Sequence, residues 1–281
     1  MDRIRKALEQ ASRDRAQGIG HGTGQGMGDS RQPSIGPADL ATGVRYTYTK
    51  VVDVPERVLV ENRLIAGVPG HEHKDAYRML RTRVLQILRE NNWTSLAITG
   101  PASGCGKTMT SINLAISLAM EVTHTVLLVD LDFRKPSVHE YFGYQPEAGL
   151  SDYLLHGKPL TEILFNPSIE RLVVLPGREV IQNSSEMLRS PKMVALVNEI
   201  KHRYPDRLVI FDLPPILAAD DALAFAPYTD CMLMVAEAGG TSRDDLQKSL
   251  AVLKSVPVIG TVLNKAHAPR GGYGYYSKRK S

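Results

Sequence analysis

A chain of 281 residues, 43% hydrophobic and 23% charged, has the composition of a soluble globular protein with one sizeable core. No apolar run reaches the ~18–20 residues of a membrane-spanning helix, and the charged start Met1-Asp-Arg-Ile-Arg-Lys lacks the apolar stretch of a secretory signal. A net charge of +4 does not imply a nucleic-acid or membrane surface, and the two cysteines, Cys105 and Cys231, suit a reducing cytoplasm.

Residues 1–16 predict a charged helix with Ile4, Ala7, Leu8 and Ala11 at helical spacing, either a solvated element or a docking element. Residues 17–43 are rich in glycine and predict a flexible linker, because they cannot bury enough apolar area to offset ordering entropy. A folded domain is expected over 44–268. Val44 to Val60 alternates weakly and predicts one or two extended segments. Asp75 to Arg89 predicts an amphipathic helix, with Tyr77, Leu80, Val84, Ile87 and Leu88 on its apolar face and Arg78, Arg81 and Arg89 directed elsewhere. His71 and His73 precede it without a third ligand and read as a polar turn.

The chain is organised around Ser95-Leu-Ala-Ile-Thr-Gly-Pro-Ala-Ser-Gly-Cys-Gly-Lys-Thr108. An apolar strand ends near Ile98, a glycine-containing turn follows, and Met109 to Met120 reads as a helix. That is the setting of a phosphate-binding loop. Gly104 and Gly106 let backbone N–H groups close around phosphate oxygens at a helix N-terminus. Lys107 is expected to reach the phosphates and the Thr108 hydroxyl to ligate Mg²⁺. The pattern G-x-x-x-x-G-K-[ST] departs at its first position, where Pro101 stands and Gly100 comes one residue early. Cys105, between the loop glycines, is either redox-sensitive at a helix N-terminus or turned away from phosphate.

Beyond the loop, apolar runs at Thr125–Val129, Leu172–Leu175, Leu208–Phe211, Cys231–Val235 and Val258–Leu263 predict strands buried on both faces. Helical patterns at Ser111–Met120, Ser184–His202, Ala218–Phe225 and Ser242–Ser255 alternate with them. The expected fold is α/β, a mostly parallel sheet covered by helices on both faces, with ligands at the carboxyl ends of the strands. Asp130 and Asp212 stand at two such ends, and Asp132 lies two residues past the first. Aspartates there beside a phosphate loop can hold Mg²⁺ or its waters, or accept a proton from an attacking hydroxyl, so ATP-dependent chemistry is expected. Asn264, after the last strand, either hydrogen-bonds a purine edge or caps a turn.

Three motifs resemble those of the bacterial tyrosine kinases (BY-kinases) of capsule and exopolysaccharide systems, a branch of the deviant-Walker P-loop ATPases. Ala102 to Thr108 is similar to the family's Walker A, Val126 to Pro136 to its Walker A′, and Val209 to Pro215 to its Walker B. The N-terminal helix and linker resemble kinases encoded with exosortase-linked clusters. The resemblance implies a P-loop NTPase that transfers the γ-phosphate of ATP to tyrosines of a neighbouring subunit. It implies nucleotide contacts from Ser103, Gly104, Cys105, Gly106, Lys107, Thr108, Met109 and Asn264, with Mg²⁺ held by Thr108, Asp130 and Asp212. Lys107, Asp130, Asp132 and Arg134 are the expected catalytic groups, and which aspartate is the base stays open. Tyr273, Tyr275 and Tyr276 in the 269–281 tail are the implied phosphoacceptors. Asp75-Ala-Tyr-Arg78-Met-Leu-Arg81 is similar to the E-x-x-R-x-x-R motif of ring assembly, with Asp for Glu. Implied partners are other copies of the chain, a membrane-embedded polysaccharide co-polymerase as activator and a phosphotyrosine phosphatase, with no nucleic acid. The expected location is cytoplasmic, at the inner face of the membrane. ParA/MinD-type ATPases carry a signature lysine where this chain has Ala102. An ATP-driven switch of that type is the alternative reading.

Overall fold

The architecture follows from where continuous apolar runs can be buried on both sides. The computed structural model describes residues 49–204 and 206–266. The helix expected over 1–16, the linker over 17–43 and the tail over 269–281 lie outside them.

The described chain opens with β1 (Lys50–Val51), α1 (Glu56–Glu61) and α2 (Lys74–Asn91). It continues with β2 (Ser95–Thr99), α3 (Lys107–Ala119), β3 (Thr125–Asp130), α4 (Val138–Tyr141) and α5 (Leu150–His156). Then come β4 (Phe165–Asn166), β5 (Leu172–Leu175), α6 (Ser184–Leu188), α7 (Pro191–His202) and β6 (Arg207–Asp212). The last elements are α8 (Asp221–Phe225), β7 (Cys231–Glu237), α9 (Arg243–Val252) and β8 (Val258–Asn264).

The strands form one sheet in the order β1-β4-β5-β3-β6-β2-β7-β8, parallel throughout except where β4 meets β5. Successive strand residues face opposite sides. Leu96, Ile98, Leu128 and Ile210 therefore pack against α2 and α3, while Ala97, Val129, Phe211 and Met234 pack against α7 and α8. Both faces are dry along β2, β3, β6 and β7, which is why these strands read as unbroken apolar runs; β8, expected to be buried on both faces, is an edge strand only partly buried, with Leu263 exposed. The chain leaves β2 for β3 in one direction and leaves β6 for β7 in the other. This reversal opens a crevice at the carboxyl ends of the central strands.

Several expected boundaries shift for local reasons. The helix expected from Met109 begins at Lys107, because Gly106 takes a left-handed conformation (φ 92°) and serves as its N-cap. The single helix expected over Ser184–His202 is two. Pro191 cannot donate to a preceding turn, Ser190 before it is extended, and the Ser190 hydroxyl accepts from the Met193 amide at 3.2 Å to start α7 afresh. The extended segments expected before Val60 reduce to β1, and Glu56–Glu61 is helical, with Pro55 as its N-cap and Glu56 in its first turn. Arg81 does not project away from the core. It turns toward the end of α3, where it donates to the Ser117 carbonyl at 3.1 Å and pairs with Glu121 at 2.9 Å. Asp75 and Arg78 remain exposed and pair with each other at 2.9 Å.

The amino ends of the central strands are held by one carboxylate. Asp230 Oδ2 accepts from the Thr94 and Ser95 amides at 3.0 and 2.9 Å and from the Ser95 hydroxyl at 2.8 Å, while Oδ1 accepts from Lys201 at 2.6 Å. Burial opposes the charge, but Lys201 and these donors hold the Asp230 carboxyl below its ordinary 3.8. A depressed carboxyl stabilises the fold above the unfolded value and loses that contribution as pH falls through the folded one. Asp230→Asn is expected to cost about 2 kcal/mol at pH 7 in urea denaturation. The gap to the parent chain should shrink below pH 4, with nucleotide affinity unchanged at every pH above that.

Candidate active site

β2 delivers its chain end to the crevice and α3 carries it away, so residues 100–106 form a loop over the N-terminus of α3. A Cβ on Gly106 would collide with Asn264 Nδ2, so only glycine fits there. Gly100 is fixed by its own packing. A side chain on it would collide with the Cys105 sulfur and the Val235 carbonyl, which accounts for a glycine one residue early in the motif. The Cys105 thiol is buried against Gly100, and burial pushes its pKa up, which disfavours a reactive thiolate.

Lys107 Nζ lies 2.7 Å from Asp132 Oδ2 and 3.5 Å from the Thr108 hydroxyl. Burial alone would lower the Lys107 pKa. Asp212, Asp132 and Asp130 outweigh it and hold the ammonium above its ordinary value. Beneath this pair, Asp130 and Asp212 are register partners at the tips of β3 and β6, and both are fully buried.

Their surroundings differ. Asp130 Oδ2 accepts from the Ser137 and Val138 amides at 2.9 and 3.0 Å, and Oδ1 from the Asp132 amide at 3.2 Å. Burial, then the neighbouring Asp212, push its pKa up to about 8 against the pull of those amides. Asp130 thus organises the 130–138 loop from its place at the tip of β3. Asp212 Oδ1 accepts from the Ser111 hydroxyl at 2.9 Å, while its buried Oδ2 has no partner among the described residues. Burial raises its pKa, with Lys107, Thr108 and Ser111 opposing the shift.

That unpartnered oxygen beside the Thr108 hydroxyl is a hard-oxygen donor set suited to Mg²⁺. Among the described residues there is no cluster of three or more His, Cys, Asp or Glu able to cage a metal.

A cavity of about 320 Å³ opens above these groups. It collects Ser103, Gly104, Gly106, Lys107, Thr108, Asp132 and Arg134 from the expected site, and Tyr141 and Pro215 also line it. Cys105, Met109, Asp130, Asp212 and Asn264 fall outside its lining. Asn264 Nδ2 donates to the Cys105 carbonyl at 2.9 Å, so its amide nitrogen braces the loop rather than awaiting a purine. A second cavity of the same volume, beside Lys50, Tyr144 and Glu147, carries none of this chemistry. Tyr273, Tyr275 and Tyr276 lie outside the described residues. Ser111 and Asp221 were not anticipated. Ser111 follows Lys107 by one helical turn and was legible from that spacing. Asp221, 87 residues from its partner Arg134, left no local signal.

A glycine-turned loop at a helix N-terminus, a lysine in the first turn and aspartates at parallel strand tips define a P-loop nucleotide-binding domain. Residues 96–274 match the family model described as the CobQ/CobB/MinD/ParA nucleotide binding domain. The chain is 32% identical over 215 residues to the tyrosine-protein kinase YwqD of Bacillus subtilis, covering 75% of this chain and 89% of that one. It is 30% identical over 217 residues to the putative tyrosine-protein kinase EpsB of Ralstonia nicotianae, covering 76% of this chain and 28% of that one. The solved kinase domain of the Escherichia coli tyrosine kinase ETK superposes with a TM-score of 0.68 at 28% identity, covering 81% of this chain and 94% of that one. The chain belongs to the bacterial tyrosine-protein kinase family. It spans 28% of the length of the two Ralstonia relatives.

The buried Asp212 carboxylate has a distinct experimental signature. Its raised pKa means that ionisation costs stability as pH rises through the folded value, and an amide escapes that cost. Asp212→Asn is expected to leave the nucleotide-free protein at least as heat-stable as the parent at pH 8. Mg-nucleotide affinity should fall about 10- to 100-fold, read by calorimetric titration. A less stable variant with intact Mg²⁺ dependence would contradict the assignment.

Proposed function

We propose that this chain is an ATP-dependent protein tyrosine autokinase that regulates exopolysaccharide or capsule polymerisation and export. The observation that carries the reading is the Lys107–Asp132 pair at the wall of the phosphate-loop cavity, in a chain homologous to YwqD over most of that kinase.

Without phosphate, Lys107 and Asp132 neutralise each other at 2.7 Å. Nucleotide phosphates compete for the ammonium, and withdrawing it leaves Asp132 as a free carboxylate able to accept the proton of an attacking tyrosine hydroxyl. Because Asp130 is engaged by backbone amides, the base role falls to Asp132. Amides of residues 104–108 and Lys107 bind and orient the phosphates, and Arg134 offsets charge on the transferred group. Thr108 and Asp212 would hold Mg²⁺, which supplies charge neutralisation at the phosphates when bound. The acceptors are Tyr273, Tyr275 and Tyr276 of a neighbouring copy.

The partners follow the same reading. Copies assemble through the exposed Asp75–Arg78 face, to which Arg81 contributes by fixing α2 on α3. A membrane-embedded polysaccharide co-polymerase recruits and activates the chain at the inner membrane face, and a phosphotyrosine phosphatase resets it. Among the described residues no helix is long and apolar enough to cross a membrane.

Mass spectrometry of the tail after incubation with Mg-ATP tests the kinase reading. Phosphate is expected on residues 273, 275 and 276, reduced about 100-fold or more by Lys107→Met. An unmodified tail alongside steady ATP hydrolysis, with and without the partner's cytoplasmic segment, would replace the kinase with an ATP-driven switch.

A further inference from the structure

One acidic side chain, outside the cavity lining but paired with an arginine that lines it, has no part in the account so far. Asp221 opens α8 and is wholly buried. Its Oδ2 accepts from Arg134 Nε at 2.9 Å, while its buried Oδ1 has no partner among the described residues. A buried carboxylate with one oxygen unsatisfied costs stability, and a packed apolar residue of similar volume would cost less. Docking of α8 does not require the acid either, since Ala222, Ala224 and Phe225 already bury its apolar face.

What the carboxylate does accomplish is to grip one arginine in one particular way. Arg134 lines the cavity with its side chain half exposed. A carboxylate that meets a guanidinium through a terminal fork uses up the terminal nitrogens. Here the grip is at Nε alone. Both terminal nitrogens are left without a protein partner among the described residues, while the plane of the group is set from below. The neighbouring acid offers a contrast. Asp220 is exposed and meets Arg189 at 3.6 Å, away from the cavity lining.

We propose that Asp221 is a positioning residue that, by holding Arg134 through Nε alone, aims the free guanidinium fork at the terminal phosphate of bound nucleotide and so makes the site prefer a nucleoside triphosphate to a diphosphate. This rests on the cavity being a nucleotide site and is independent of tyrosine as the acceptor.

The test is a binding cycle on the full chain with Mg²⁺, using the β,γ-imido analogue of ATP and, separately, ADP. Asp221→Leu and Arg134→Gln are each expected to lower the triphosphate-over-diphosphate preference about tenfold, the size of one lost charge-assisted contact. The double variant should lose no more than either single one, because both remove the same fork. Asp221→Asn, which keeps an acceptor for Nε, should retain part of the preference, and Asp220→Asn should retain all of it. ADP affinity should stay within about twofold throughout, a split that a purely structural role would not produce. Should Asp221→Leu fail to fold, the same cycle runs on Asp221→Asn with Arg134→Gln. An unchanged preference in the Asp221 variants, parallel loss of both ligands, or multiplicative losses in the double variant would overturn the inference. A parent chain that binds both nucleotides equally would also overturn it. A parent chain that prefers the triphosphate but leaves its tail unphosphorylated would instead count against the kinase reading alone.

Discussion

Everything at the catalytic end of this protein depends on how three carboxylates and one ammonium coexist out of water. Lys107, Asp132, Asp130 and Asp212 converge where β2, β3 and β6 end, and none is more than slightly exposed. Isolated charges at such depth are prohibitively costly. The structure handles each differently. Asp132 is paired with Lys107, Asp130 is wrapped by backbone amides, and Asp212 is half satisfied by Ser111. Of these, the backbone-wrapped Asp130 has the most of its acceptor capacity already used, and Asp212 keeps one oxygen free. The Lys107–Asp132 pair is the one that a phosphate group can compete for, and a site that must change its charge state on binding needs one such replaceable partner.

The sheet makes this convergence possible. Parallel strands send all their carboxyl ends to one side, and the reversal of strand order at the centre leaves a gap there between neighbouring connections. The opposite end has the converse design. Asp230 takes up amide and hydroxyl donors of residues 94 and 95 and is paired with Lys201, with no vacancy for a ligand. One pole of the sheet is saturated and holds the strands together. The other is deliberately under-satisfied at Asp212 and Asp221, and those orphan oxygens lie next to the groups expected to meet phosphate.

Arg81 shows how a motif can be present and yet act differently from its expected role. The helix carrying Asp75, Arg78 and Arg81 was legible from its apolar spacing, and the arginines were expected to point outward together. In the fold, α2 packs on α3 closely enough for Arg81 to reach the Ser117 carbonyl and Glu121, which are 36 and 40 residues away in the chain. It therefore stiffens the platform on which the exposed Asp75–Arg78 pair stands.

The sequence by itself determined the phosphate loop, the alternation of buried strands with helices, and the aspartates at strand tips. These are encoded in covalent neighbours and in periods of two and about 3.6 residues, which a linear reading can detect. The tertiary structure alone decided the partners. Asn264 braces the loop across 159 residues, Asp221 grips Arg134 across 87, and Asp130 is occupied by amides that only the turn before α4 brings round. Gly100 makes sense only once Cys105 and β7 are seen pressed against it. Partner choice of this kind is set by strand order, register and the close approach of distant backbone, and none of these leaves a periodic trace in the order of residues.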